Sequence, residues 1–470
     1  MPNVEIAAAP GRKVMLNDDV IEQFRTGLRG GHLLRGNDGY DAARKIYNAM
    51  IEHRPAIIAR CAGADDVISA VDFARNNGGL LLSVRGGGHN VSGNAVCDGG
   101  LMIDLSPMKS VRVDPQGKTV RAEAGVTWGE FDRETQAFGL ATTGGLVSTT
   151  GIAGLTLGGG LGWLMGSYGL ACDNLISVDV VTADGRLLTA SKSRNEDLFW
   201  GLRGGGGNFG IATSFEFQLH PVGPMLGGIL IHRLDKAVET IKFYDEFTRT
   251  SPDELGTFVA FATSPEGERV MAIFVCYNGA VEEGQRILKP LREFGPPLAD
   301  MIGPMPYVQV QRMMDDAFPA GRQNYWKSNF LKGLDTQAIN VIVDQAAKAP
   351  SPHSAIAIEQ FSGAVNRVGI NDTAFNHRNA RYNLLIVGIW TDPAAKADNV
   401  RWVRALWDAM APYSSGGVYV NYLGQESDEG VERVKSAYGP EKYARLVALK
   451  QKYDPTNLFR LNQNIRPSGS

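Results

Sequence analysis

The chain has 470 residues, more than one hydrophobic core ordinarily supports, so two lobes are expected. Apolar residues make up 44% and charged residues 21%, the balance of an ordinary globular protein. A net charge of -3 without a basic stripe argues against nucleic-acid or membrane-surface partners.

The N-terminus, Met1-Pro-Asn-Val-Glu-Ile, lacks a basic segment followed by an apolar one, and no apolar run is long enough to span a bilayer. The expectation is a soluble, cytoplasmic protein. Residues 1–56 read as helical, with apolar positions at helical spacing over Asp18–Leu28 and Tyr40–Ile51. A short strand at Ala56–Ala59 follows, then an amphipathic helix over Asp65–Asn77 ended by Gly78-Gly79. Leu80–Val84 reads as a buried strand running into Arg85-Gly-Gly-Gly-His-Asn. Short strands follow near Leu101–Asp104, Val111–Val113 and Thr119–Ala122, then a helix over Thr127–Phe138. Ile176–Val181 is a strand with a turn signal at Ala183-Asp-Gly-Arg, Glu196–Leu202 is helical, and Ile211–Leu219 is a strand.

Pro221-Val-Gly-Pro224 reads as a boundary. Beyond it strands (Gly228–His232, Glu268–Tyr277, Ser354–Phe361, Tyr382–Trp390) alternate with helices (Ala237–Thr248, Val281–Phe294, Asp335–Lys348, Ala395–Met410), which predicts a mixed sheet covered by helices. Gly417–Leu423 reads as a further strand and Gly439–Lys452 as a helix stopped by Asp454-Pro455.

Glycine is the outlier, with 56 residues, and it concentrates in Arg85–Gly100, Gly144–Gly169 and Gly201–Gly210. Such clusters mark backbone in unusual conformations or backbone approached closely by something, and three of them suggest a large ligand lying along main chain. Gly205, Gly207 and Gly210 satisfy GxGxxG, but a helix precedes the loop and a strand follows it, the reverse of the dinucleotide motif. Gly158-Gly-Gly-Leu-Gly162 fails as well, since Trp163 stands where a glycine is required. The loop Arg85–Asn90 reads either as a phosphate nest carrying a histidine or as a glycine turn with a solvated histidine. No two of the seven histidines lie within four residues of each other, so no metal site is expected, and there is no GxSxG elbow. Cys61, Cys97, Cys172 and Cys276 are far apart and read mostly as buried small apolar residues.

Four segments in this order carry a resemblance: Arg85-Gly-Gly-Gly-His-Asn-Val-Ser-Gly93, Gly158-Gly-Gly-Leu-Gly162, Tyr168-Gly-Leu-Ala-Cys-Asp-Asn174, and Leu198 to Gly210. Tyr419-Val-Asn-Tyr-Leu-Gly424 and Lys452 to Ile465 continue it. The chain resembles the berberine-bridge-enzyme-like branch of the vanillyl-alcohol oxidase superfamily, with its PCMH-type FAD-binding domain. The resemblance implies an α+β fold: a two-subdomain FAD-binding domain formed by residues 1–222 and 416–470, and a substrate domain, 223–415, whose antiparallel or mixed sheet roofs the flavin ring. It implies FAD attached covalently through His89, with Arg85, Gly86, Gly87, Gly88, Asn90 and Gly93 around the pyrophosphate. Further cofactor contacts are expected from Gly145, Thr149, Thr150, Gly151, Gly154 and Gly160, from Tyr168, Gly169, Leu170, Asp173 and Asn174, from Gly207, Asn208, Gly210 and Ile211, and from Asn421, Asn462 and Asn464. Relatives with a second, cysteinyl tether have Val147 at that position here, so a single link is expected, with Cys172 a buried cysteine near the cofactor. Thr150 replaces the Val or Leu that influences oxygen access in relatives, which leaves oxidase and dehydrogenase both open.

The activity implied is oxidation of a small alcohol, sugar or heterocyclic amine, with O2 reduced to H2O2. The alternatives are a dehydrogenase with another electron acceptor and a non-catalytic flavin-binding protein. Tyr419 is favoured as substrate contact or base and Tyr422 is its rival, with Asn421 sharing a strand face with Tyr419; packing aromatics are the competing reading. Leu385 stands where relatives carry a glutamate or glutamine on the roof. Glu359 or Gln360 faces either the ring or solvent, Tyr325-Trp-Lys-Ser328 is a pocket candidate, and Lys327 binds an anion or is solvated. His377-Arg378 reads as structural. The oligomeric state is open.

Overall fold

The computed structural model describes residues 4–8, 11–424 and 429–469. The readings made on residues 1–3, 9, 10, 425–428 and 470 lie outside the described residues. Strand Leu82–Arg85 enters the first glycine cluster from a four-stranded sheet ordered His32–Leu34, Ile57–Arg60, Leu101–Asp104, Leu82–Arg85. The last three strands are parallel, as a strand–helix–strand crossover requires. Helix Ala64–Asn76 covers the sheet with Val67, Ala70, Val71 and Ala74. A five-stranded antiparallel sheet runs Leu187–Ser191, Leu175–Val181, Ile211–Gln218, Thr119–Glu123, Val111–Asp114.

Backbone contacts bring the three glycine clusters together. Gly87 lies against Gly151, and the N–H groups of Gly204 and Gly206 both donate to the Leu157 carbonyl, at 3.0 and 2.9 Å.

The eight-stranded sheet is antiparallel at every pairing. Its path is Ala299–Asp300, Met225–Arg233, Arg269–Tyr277, Leu255–Thr263, Ala355–Gln360, Tyr382–Trp390, Gln323–Leu331, with Gly303–Met305 also on Met225–Arg233. All nine residues of Tyr382–Trp390 are buried because both faces are covered. Leu384 and Ile386 meet the helices Thr336–Ala347 and Lys396–Ala409 in one core, while Leu385 and Val387 turn the other way, as period two dictates. That second face is the roof of the cavity described below.

Three readings are corrected. Residues 1–56 are not helical throughout: Val4–Ala7 pairs with Lys13–Leu16 as a hairpin, and His32–Leu34 is a strand. The helix from Tyr40 stops at Arg44, because the next backbone groups find partners elsewhere: Tyr47 N–H donates to Gly88 O (2.9 Å) and Ala49 N–H to Arg322 O (3.0 Å). Gly417–Leu423 is not a strand. It has no paired neighbour among the described residues, and Tyr422 N–H closes a turn onto Tyr419 O at 2.9 Å. Strands Leu255–Thr263 and Gln323–Leu331 were not expected. The second hides behind Asn324, Lys327, Ser328 and Asn329, which break the apolar pattern but are all buried.

The C-terminal segment is pinned by a buried pair. Lys450 and Asp454 are both fully buried; Lys450 Nζ donates to Asp454 Oδ2 (2.7 Å), Asn208 O (2.9 Å) and Phe459 O (2.9 Å). Asp454 in turn accepts from the N–H groups of Leu458 and Phe459, at 2.7 and 2.9 Å. Lys450→Met leaves the carboxylate buried without its cation, and the expected loss is about 3–5 kcal/mol in unfolding free energy, read by denaturant titration.

Candidate functional site

Two chambers of about 230 and 180 Å³ lie between the glycine loops and the large sheet. They share Val84, Gly86, Asn90, Ala95, Gly154 and Asn421, so they form one elongated cavity. Its size suits a cofactor-sized ligand. No helix among the described residues is long and apolar enough to cross a membrane, and no cluster of metal-ligating side chains occurs among them.

The first chamber is floored by Gly86–Asn90, Thr150, Gly151 and Gly154. A Cβ on Gly87 would stand 2.4 Å from the Gly151 nitrogen, and one on Gly151 would stand 2.5 Å from the Gly87 nitrogen. Only two glycines allow this approach. Gly88, at φ +69°, then turns the chain so that His89 enters the chamber. The imidazole stacks on Tyr47 with centroids 4.0 Å apart, and its Nε2 is buried without a partner among the described residues. Burial pulls the His89 pKa down to about 4, so the ring is neutral and keeps a lone pair.

Asn48 locks this region. Its Nδ2 donates to Val91 O (2.8 Å) and Asn324 O (2.9 Å), and its Oδ1 accepts from the N–H groups of Met50 and Asn324, each at 3.0 Å. One side chain therefore ties the His89 loop to a roof strand.

Above the floor stand Phe258, Met314, Phe318, Trp326, Ala357, Leu385 and Glu359. Glu359 is 3% exposed; its Oε1 accepts from Tyr422 OH (2.8 Å) and its Oε2 from Asn383 Nδ2 (2.7 Å). Burial raises its pKa to about 7 against those hydrogen bonds. Tyr422 is pushed up too, first by burial and then by the Glu359 charge. Tyr419 is tied differently: its hydroxyl oxygen accepts from Gly160 N–H (2.9 Å) and Asn421 Nδ2 (2.7 Å), and Asn421 also donates to Leu155 O (3.0 Å). Glu359 is the functional candidate that sequence reasoning left open. Its sequence signal is a lone carboxylate in an apolar strand.

Gly207, Asn208, Gly210, Ile211 and Asn462 line the second chamber. A Cβ on Gly154 or Gly207 would meet no protein atom within 4 Å, so the backbone there is bared to the cavity. None of the backbone N–H groups from Gly86 to Asn90 finds an acceptor among the described residues. Among the described residues, no lysine or arginine lines either chamber. Free main-chain donors, bare glycines and an unpartnered imidazole fit a flavin dinucleotide whose phosphates are held by backbone.

Other expected residues stand off the cavity lining. Arg85 donates to Ala43 O, and Gly93 packs on Ile51. Gly145 O accepts from Gln311 Nε2 (2.7 Å), and Thr149 is exposed. The turn Tyr168, Gly169, Leu170, Asp173 and Asn174 is held by the protein itself. Tyr168 stacks on His220 at 3.9 Å, Leu170 N–H donates to Asp173, and Asn174 Nδ2 donates to the Tyr168 and Leu170 carbonyls. Gly169 O accepts from Thr143 Oγ1. Asp173 receives both Arg378 nitrogens at 2.7 Å, while His377 packs on Phe330, so this histidine–arginine pair has structural partners. Asn464 lines a separate surface groove with Arg12, Lys13 and Arg460. Cys172 is buried beside Asp173 off the lining, whereas Val147 lines the first chamber. Lys327 pairs with Glu429 at 2.5 Å, Gln360 accepts from Thr257, and Tyr325 is bonded to Arg404; none of the three lines the chambers.

Residues 55–191 match the family model described as "FAD binding domain", and residues 418–466 match "Berberine and berberine like". The chain is 34% identical over 453 residues to an FAD-linked oxidoreductase of Dictyostelium discoideum, covering 95% of this chain and 97% of that one. It is 31% identical over 467 residues to (R)-6-hydroxynicotine oxidase of Paenarthrobacter nicotinovorans, covering 94% and 98%. The crystal structure of 6-hydroxy-D-nicotine oxidase from Arthrobacter nicotinovorans superposes with a TM-score of 0.86 at 30% identity, over 94% of this chain and 98% of that one. Glycine loops, bared backbone and relatives agree: the chain belongs to the berberine-bridge-enzyme-like FAD-linked oxidoreductases, with their PCMH-type FAD-binding fold.

Proposed function

We propose that this enzyme is an oxidase that carries FAD covalently on His89, takes two electrons from a small organic substrate and passes them to O2, with Tyr422 and Glu359 as its base. The observation that carries the reading is the Tyr422–Glu359 hydrogen bond in the chamber that His89 enters. When bound, FAD supplies the two-electron acceptor and the reductant of oxygen, chemistry no side chain provides. The cofactor lobe is residues 1–222 with 416–470 and the substrate lobe is 223–415. The apolar cores support this division in outline: one joins Ile6–Leu219 to Val418–Ile465 and takes in Phe330, Phe361, Val365, Ala374, Phe375 and Ala380 from the segment between, and the other runs from Leu226 to Met410.

The chain's own residues divide the remaining work. The N–H groups of Gly86–Asn90 bind the diphosphate, and Gly154, Gly207, Asn208, Gly210, Ile211, Asn421 and Asn462 line the rest of its bed. The neutral His89 imidazole is the attachment point, and its stack on Tyr47 fixes the ring plane. Val147 in the wall leaves a single tether. Tyr422 takes the substrate proton at its hydroxyl oxygen while its own proton passes to Glu359 Oε1, with Asn383 holding Oε2. Tyr419 is the weaker candidate, since its oxygen already accepts two N–H bonds and no carboxylate among its hydrogen-bond partners receives its proton. It holds Asn421 and the Gly160 turn in place.

Thr150 lines the chamber in place of an aliphatic side chain, which favours a second reading: a dehydrogenase using a non-oxygen acceptor. Peroxide formed in step with substrate under air supports the oxidase; reduced enzyme that persists in air and is drained by a quinone supports the dehydrogenase.

Two outcomes test the residues. Acid precipitation should leave yellow colour in the wild-type pellet and none in the His89→Ala pellet. Colour released from wild type removes the covalent link. The base must be ionised, so kcat/KM should rise with pH and level off above about 7, the Glu359 value. Glu359→Gln should lower kcat/KM by roughly 10²–10³-fold and abolish that limb; an unchanged pH profile would place the base elsewhere.

A further inference from the structure

A third cavity, of about 20 Å³, lies where residues 161–166 meet the paired ends of strands Leu255–Thr263 and Ala355–Gln360. It shares Leu146, Leu161, Phe258 and Glu359 with the first chamber, so these four side chains form the partition between the two spaces. Three of the four are apolar. Among the described residues, Glu359 is thus the one polar side chain that lines both. Tyr422 donates to its Oε1 (2.8 Å) and Asn383 to its Oε2 (2.7 Å), which leaves each carboxylate oxygen a second acceptor direction.

The volume holds a single water and no substrate-sized group. The lining supplies the polar partners that such a water needs. Trp163 is 3% exposed, and its Nε1 is buried with no acceptor among the described residues. A buried indole N–H calls for one. Thr257 Oγ1 donates to Gln360 Oε1 (2.6 Å), which stiffens another part of the wall. Ser362, also in the lining, is partly exposed. The cavity therefore spans from the buried Glu359 carboxyl to a side chain that meets solvent.

Resting on the proposed base pair, we infer that one water in this cavity is the exit for the substrate proton. Trp163 Nε1 donates to the water, and the water oxygen takes the proton from the Glu359 carboxyl. As that carboxyl O–H bond breaks, the water releases one of its own protons past Ser362 to solvent. One proton enters the cavity and one leaves it. Glu359 is again a carboxylate, Tyr422 keeps the proton it took from the substrate, and nothing has passed back through the occupied chamber. Burial pushes the Glu359 pKa up to about 7, so the carboxyl gives up its proton at neutral pH.

The test follows the Glu359 carboxyl proton in the holoenzyme, without substrate. Below the pH at which Glu359 ionises, its carbonyl stretch is the infrared band missing from Glu359→Gln. Rapid mixing into D2O shifts that band, and the rate of the shift is the rate of proton exchange. Ser362→Leu fills the outer end of the cavity and should slow exchange at least roughly 10-fold, the rate equivalent of one lost hydrogen bond. Ala357→Leu narrows the substrate chamber instead and should leave the rate unchanged, as should Ser362→Ala, which keeps the cavity open. Exchange at the wild-type rate in Ser362→Leu overturns the inference, as does slowing by Ala357→Leu alone. A crystal structure of the holoenzyme needs no variant: a water within hydrogen-bonding distance of Trp163 Nε1 and Glu359 is expected, and a dry cavity overturns the route. The base reading fails separately. Slowed exchange in Ser362→Leu beside an unchanged kcat/KM profile in Glu359→Gln keeps the water path and removes the base. Unslowed exchange with that limb abolished keeps the base and removes the path.

Discussion

The contact between Gly87 and Gly151 sets the geometry of the whole site. Two main chains meet there at a distance that excludes any side chain from either, so the first and second glycine clusters are fused into one floor. The position of His89 follows from it, because the loop has no freedom to slide and Gly88 turns it by a left-handed step. The third cluster joins through the Leu157 carbonyl, and the floor becomes a continuous trough of exposed main-chain donors. A chain that devotes so many N–H groups to no internal acceptor is stable only with an anion or water in their place.

Above this trough the electrostatics run the opposite way. The floor is polar through its backbone, and the roof is apolar except for one carboxylate. Glu359 is held in that surface by Tyr422 and Asn383 but faces no cation within hydrogen-bonding range among the described residues, so desolvation outweighs both bonds and its titration moves toward neutrality. A carboxylate near its midpoint accepts and returns a proton with little driving force either way, which suits the base role proposed for it.

The glycine clusters, the strands that feed them and most helices were legible in the amino-acid sequence, because glycine spacing and apolar periodicity are local signals. The GxGxxG pattern at Gly205–Gly210 was rejected on its flanking elements, and the structure has the helix Glu196–Leu202 before it and the strand Ile211–Gln218 after it. What was not legible was set by partners distant in the chain. Residues 45–51 look helical and are not, since their hydrogen bonds go to Gly88 and Arg322. Tyr419–Tyr422 looks like a strand and is a turn, since Gly160 and Leu155 hold its side chains. Asp173 looks like a ligand residue and is occupied by Arg378, some two hundred positions away. Glu359 showed only as one acid among apolar neighbours, and no local pattern reveals which face of a strand a remote tyrosine will meet.

Asn48 reaches Asn324 across 276 positions of sequence, and Gly160 reaches Tyr419 across 259. Contacts of such long separation carry the largest loop-closure cost and form after local structure is in place. The cavity therefore carries contacts whose loop-closure cost is among the highest in the chain. A ligand that occupies the trough rests on those same long-range contacts. The bed that would hold a ligand and the bonds that close the fold are therefore the same, with Asn48 and Tyr419 belonging to both.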